Sequence, residues 1–270
     1  MKVRMKFTKT GPIRYVGHLD FMRYMQKAVT RSGLPGVYTA GFSPHLLMSF
    51  ADPLGVGMES LGDYLEVEFA WHDPFAEGNE LYRLKNIGID NATLPGAPSG
   101  EELIRKMNAA QAEGVKILTA RRIGETKEDK SMAIVRWANY IIAMRDDFHP
   151  EISADTLTEK CLAFIDRQAI PVTRKTKKSE KVIDIKPWVP TLAGGSSSVE
   201  PFSERKGYTM GRTIFLTCAA GSTQNLKPET FSEALCAFMG IDYDRFGFSF
   251  LRTDLLDGDF RSLGDLGQPI

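Results

Sequence analysis

Four polar side chains crowd the first fifth of the chain in spacings that could do chemistry. His18 and Asp20 stand two residues apart in Gly17-His18-Leu19-Asp20, and Ser43 and His45 flank a proline in Gly41-Phe42-Ser43-Pro44-His45. A histidine at the start of a helix is pushed toward its neutral form and can serve as a base. The same helix end attracts phosphate. Lys9 and Arg14 lie just ahead of it and Arg23 one turn behind, which adds positive charge. The spacing predicts that Lys9, Arg14, His18, Ser43 and His45 converge on one pocket. Structural alternatives stand beside this reading. Asp20 can accept a backbone N–H in the first helical turn, His18 can bond a loop carbonyl, and His45 can bridge its own loop. One histidine pair falls short of the three or four protein ligands zinc prefers, so no metal site is expected.

The second cluster is electrostatic. Residues 174–186 hold Arg174, Lys175, Lys177, Lys178, Lys181 and Lys186 against Glu180 and Asp184, six basic against two acidic, a local net of +4. Such a run suits a hairpin that tracks phosphates, or simply a solvated charged face. Trp188 at its end could stack on a base or cap the core. Lys2, Arg4 and Lys6 also alternate along one face of a strand. Ordinary cross-strand pairing with Glu66 and Glu68 is the expectation for them.

These residues need a scaffold. Lys2 to Thr8 alternates with period two and predicts a half-buried strand with Val3, Met5 and Phe7 inward. A helix is expected over 18–33, ended by Gly33 and Pro35. An extended stretch follows over 37–50, then a strand over 63–70, a helix over 100–112 capped by Ser99, and a strand over 114–122. That order is β-α-β-β-α-β, the ferredoxin-like split unit. The second half reads in the same order. Strands are expected at 132–146, 181–188, 208–219 and 246–253, with helices from Thr156 to Arg167 and from Pro228 to Met239. Gly194 to Ser198 reads as a flexible loop. The predicted class is therefore α+β, tandem ferredoxin-like units with antiparallel sheets. One domain is expected over 1–122 and one over 132–270, joined by the polar segment 123–131.

At roughly 100–200 residues per domain, a length of 270 suits two small domains or one large one. Charge is balanced at 34 basic and 34 acidic residues, so recognition by charge has to be local. Cys161, Cys218 and Cys236 are odd in number and widely spaced, which predicts reduced buried thiols and no iron–sulfur cluster. The chain is thus expected to bind no cofactor alone. The opening residues lack a signal sequence's apolar run, and no membrane span is long enough. A cytoplasmic location with no membrane partner is the expectation.

Two segments carry a family resemblance. One runs from Lys6-Phe7-Thr8-Lys9-Thr10-Gly11-Pro12-Ile13-Arg14-Tyr15 through His18-Leu19-Asp20 to Arg23. The other runs from Gly41-Phe42-Ser43-Pro44-His45 through Ser49-Phe50-Ala51 and Pro53-Leu54 to Glu59-Ser60. Together they resemble the N-terminal signature of the radical-SAM-linked proteins. These form a domain of unknown function found beside, or fused to, a B12-type radical-SAM protein. Lys175-Thr176-Lys177-Lys178 and Val182-Ile183-Asp184-Ile185-Lys186-Pro187 resemble the family's second motif, and Arg252-Thr253 its close. The family usually carries Ser at the position of Gly17 and an apolar or aromatic residue at that of Asp254. The resemblance implies a radical-SAM protein as partner, and gene neighbourhoods in the family hint at RNA modification or processing.

The expected function is an accessory, RNA-binding protein without independent activity. Lys9, Arg14, His18, Asp20, Arg23, Ser43 and His45, with Arg174, Lys175, Lys177, Lys178 and Lys181, are its expected contacts. Two alternatives remain open at this point. One is an RNA-processing enzyme, because the element order also resembles RAMP endoribonucleases and tRNA pseudouridine synthases. His18 is the best candidate for a catalytic group there. The other is a small-molecule or corrinoid-handling domain built round His18 and His45.

Overall fold

Alternation makes the first strand, as expected. β1 (Lys2–Lys9) buries Val3, Met5 and Phe7 completely. The computed structural model describes residues 1–74, 85–86, 88–124, 126–175, 180–195, 202 and 205–270, with only the backbone described at Lys127, Arg174, Lys175 and Glu180. It is a mixed α and β structure, mostly antiparallel in its pairings, with five helices among the described residues. The chain divides into two units, Met1–Val135 with Asp254–Ile270, and Arg136–Thr253. The last 17 residues or so, expected in the second domain, therefore belong to the first.

In the first unit β1 is followed by α1 (His18–Arg31), β2 (Met48–Phe50), β3 (Glu59–Glu68), α2 (Gly100–Ala109), β4 (Ile117–Ile123) and a short α3 (Ser131–Ile134). α1 buries Phe21, Met25, Ala28 and Val29, a stripe at helical spacing. Gly33 follows the helix at φ +70°, a conformation only glycine adopts cheaply, and it stops the helix two residues before Pro35. Ser99 caps α2, its hydroxyl accepting from the Glu102 N–H. In the sheet β1 lies between β4 and β3, antiparallel to both, and β2 pairs with the other side of β3.

β1 was expected to leave one face to solvent, and it does not. Arg4 is 2% exposed, as is Glu66, which sits opposite it in the β1–β3 register. The Arg4 guanidinium donates to Glu66, to the Ser131 hydroxyl and to the carbonyls of Asp129 and Leu263. The second face of β1 is thus covered by the segment before α3 and by the C-terminal tail. The cross-strand pairing expected for Arg4 is realised, but in the interior.

The second unit contains β5 (Trp137–Met144), α4 (Ala154–Ile165), β6 (Pro171–Lys175), β7 (Glu180–Asp184), β8 (Thr191–Gly195), β9 (Thr213–Ala219) and α5 (Pro228–Met239). The last strand, β10 (Phe248–Leu256), gives Phe248–Thr253 to this unit and Asp254–Leu256 to the first. Here the strand order is β10-β5-β9-β8, while β6 and β7 form a separate two-stranded sheet. Two expectations are corrected. The strand expected over 181–188 ends at Asp184 and turns through a 3-10 turn at Lys186–Trp188. Gly194 and Gly195, expected in a loop, close strand β8. The reason is close approach: a Cβ on Gly194 would lie 2.5 Å from the Thr158 Cα of α4. Residues 196–198 of the expected loop lie outside the described residues.

Candidate functional site

The loop after β1 fixes its charges internally. Lys9 is 2% exposed, donates from Nζ to the Val16 carbonyl at 2.8 Å, and lies 4.8 Å above the Phe21 ring. Glu59, 1% exposed at the head of β3, accepts from the Gly11 N–H at 2.8 Å and pairs with Arg14 at 3.3 Å. Burial works to lower the Arg14 pKa, but its bond to the Tyr15 hydroxyl and the charge of Glu59 outweigh that and raise it. Arg14 therefore ties the loop to the start of β3, and Lys9 closes the loop onto Val16.

His18 is the first residue of α1 and is half-buried. Its ring meets the Phe50 ring edge-on at 5.3 Å, and Phe50 packs in turn on Phe7 and Phe21. Among the described residues the His18 ring makes no hydrogen bond. The N-cap is Gly17, with no side-chain cap, which leaves the first N–H groups of α1 without that partner. Asp20 and Arg23 form an exposed ion pair at 3.2 Å.

Ser43 and His45 lie on a separate exposed strap. The strap is tied by its own backbone: the Thr39 N–H donates to the His45 carbonyl, and the His45 N–H to the Thr39 hydroxyl. Among the described residues no hydrogen bond, ion pair or ring contact joins Ser43 or His45 to Lys9, Arg14 or His18. The structure thus sets Lys9 and His18 on one aromatic cluster through Phe21 and Phe50, ties Arg14 to Glu59, and leaves Ser43 and His45 on their own strap.

The basic run forms the β6–β7 hairpin. Its register sets Arg174 opposite Lys181 and Lys175 opposite Glu180, with Thr173 opposite Val182. Lys177 and Lys178 lie outside the described residues. The hairpin is pinned at its root. The Asp184 carboxylate accepts from the Ile170 N–H at 2.8 Å and the Lys186 N–H at 3.0 Å, which with the Lys186 charge holds its pKa below the usual range. Ile185 is fully buried, and the Lys186 ammonium donates to the Ile165 carbonyl at the end of α4.

A family model for uncharacterized proteins conserved in bacteria, DUF2344, matches residues 2–85 and 93–228. The chain belongs to the DUF2344 family. The DUF2344 match takes in both loop segments and the whole hairpin, and stops at the first residue of α5. No curated protein matches the chain.

Sequence reasoning missed two buried polar groups, Glu59 and Arg212, and a half-buried one, Asp254, in this DUF2344 chain. Glu59 stood in a quoted segment, but nothing local marks it as an interior charge. Asp254, where the radical-SAM-linked pattern has an apolar residue, accepts from Tyr64 and pairs with Lys6 at 3.0 Å. Burial and the Asp254 charge push the Tyr64 phenol well above its usual pKa. Arg212, 1% exposed, donates to the carbonyls of Phe148, His149, Ile152 and Arg145 and so clamps the turn after β5. Only its partners, some sixty residues away, reveal that role.

Proposed function

We propose that this DUF2344 protein is a binding module without chemistry of its own, one that holds RNA through the β6–β7 hairpin and works beside a radical-SAM protein. The observation that carries it is the register of the hairpin. Two basic residues, Arg174 and Lys181, face each other across a two-stranded sheet, where like charges directly opposite destabilise the pairing. A phosphate between them removes that penalty. The root bonds of Asp184 and Lys186 hold the hairpin in place at its other end.

The architecture suits such a module. In each unit the first and third strands lie side by side, with the fourth strand outside the first and the second outside the third. This supports a tandem arrangement of split β-α-β-β-α-β units, with the hairpin inserted between the first helix and second strand of the later unit. The radical-SAM partnership rests on the resemblance of the two loop segments. Tyr15, Leu19, Phe42 and Val56 of those segments are all more than half exposed, which suits docking on a protein.

Binding of single-stranded RNA at two salt concentrations tests the proposal. Four engaged basic side chains give a slope of log affinity against log salt of about −3. Replacing Arg174, Lys175 and Lys181 by Ala should flatten that slope by about 2. No binding at low salt, or an unchanged slope in the triple variant, removes RNA from the account.

A further inference from the structure

A cavity of about 390 Å³ opens at the root of the hairpin, inside the second unit. Phe164 from α4 and Phe238 from α5 line it, with Val172 and Thr173 of β6 along one side and Arg167 and Glu233 among its polar lining. The size lies near the lower end of small-ligand sites, enough for one base and not for a strand. The two phenylalanine rings touch at 5.3 Å, and the Arg167 guanidinium lies 5.6 Å from the centre of the Phe238 ring.

An aromatic ring paired with a guanidinium is a platform on which a planar base stacks, and sequence-tolerant stacking of this kind is how single strands are held. Glu233 is exposed, so its carboxylate is available to accept from a donor edge.

We infer that this cavity is a base-binding subsite, taking one nucleobase stacked on Phe238 with an N–H of its Watson–Crick edge donated to Glu233. Guanine is the best fit, because it presents two adjacent N–H donors to one carboxylate. The inference rests on the RNA reading of the hairpin and extends it from phosphate to base.

Anisotropy of a labelled guanine-containing single-stranded RNA, measured on the full chain, separates the two. Phe238→Ala should weaken binding by about 5- to 100-fold, the range for losing one stacked base, with the salt slope unchanged. Glu233→Gln, a surface change that leaves the fold intact, should erase the preference for guanine over uracil at one position. If both variants bind like the parent while the Arg174/Lys175/Lys181 variant flattens the slope, the subsite is wrong and the RNA reading stands. If the parent binds no RNA, millimolar guanosine decides the subsite alone. Shifts confined to the Phe164 and Phe238 ring signals support it, and their absence overturns it.

Discussion

The connection from the first helix to the following sheet strand is built in opposite ways in the two units. In the first unit it spans residues 32–47 and carries no Lys, Arg, Asp or Glu. It lies back on the sheet through the bridge from Gly36 to Phe69, closes on itself through the one from Tyr38 to Leu46, and presents a fully exposed Phe42. In the second unit it spans 166–190, carries seven basic and three acidic residues, and folds as a hairpin with its own register. The charged residues that do accompany the first connection are Lys9, Arg14 and Glu59, and these are consumed in internal pairs. Charge in the first unit therefore fixes a loop, while charge in the second is held on a pinned hairpin. The same place in the element order is thus free of charged residues in one unit and rich in them in the other.

The sharpest way to break this contrast is to remove the central internal charge. Glu59→Ala takes the buried carboxylate away from the Gly11 N–H and the partly exposed Arg14 and should cost up to about 3–5 kcal/mol in urea unfolding, the range for breaking one side of a buried pair. A loss below about 1 kcal/mol, the range of an exposed pair, would mean that the first unit's charges are as dispensable as surface ones. The hairpin's apolar anchor comes next. Ile185→Ala, at a fully buried site, should cost about 2–4 kcal/mol and release the hairpin amides to hydrogen exchange. Unchanged exchange would show that the root does not depend on this side chain.

The hairpin's own cations should matter far less to folding. The Arg174/Lys175/Lys181 triple alanine variant should change stability by less than about 1 kcal/mol, or raise it slightly by removing the opposed pair. A large loss would place those charges in the structure rather than in a binding surface. The smallest effect is local. Asp184 has a folded pKa below its unfolded one, so its contribution is present above the ordinary aspartate value of about 3.9 and is lost as pH falls through the lowered folded value. The Ile170 and Lys186 amide shifts should titrate with a midpoint below about 3.9. A midpoint at the ordinary value would mean that these N–H groups do not hold the carboxylate.

Much of the element order is legible in the residues. Alternation at Val3, Met5 and Phe7, the stop at Gly33 and the cap at Ser99 are all local signals. Each acts through contacts a few residues apart, and each appears in the structure where the pattern puts it. The hairpin was legible as a charge run, and its root through Asp184 and Ile185 follows from a turn that a strand-long pattern had hidden.

What the sequence by itself determined is the list of elements and the location of the charge. What only the tertiary structure decided is whether a given charge faces water or the core, and whether a glycine is a hinge or a contact. Arg4 is interior because Glu66, the Asp129–Ser131 segment and Leu263 come from three distant points to satisfy its donors, and a guanidinium is tolerated inside only when they do. Gly194 belongs to a strand because Thr158 of α4 leaves no room for a side chain. Both outcomes depend on partners 36 to 259 residues away, a separation at which no local period carries information.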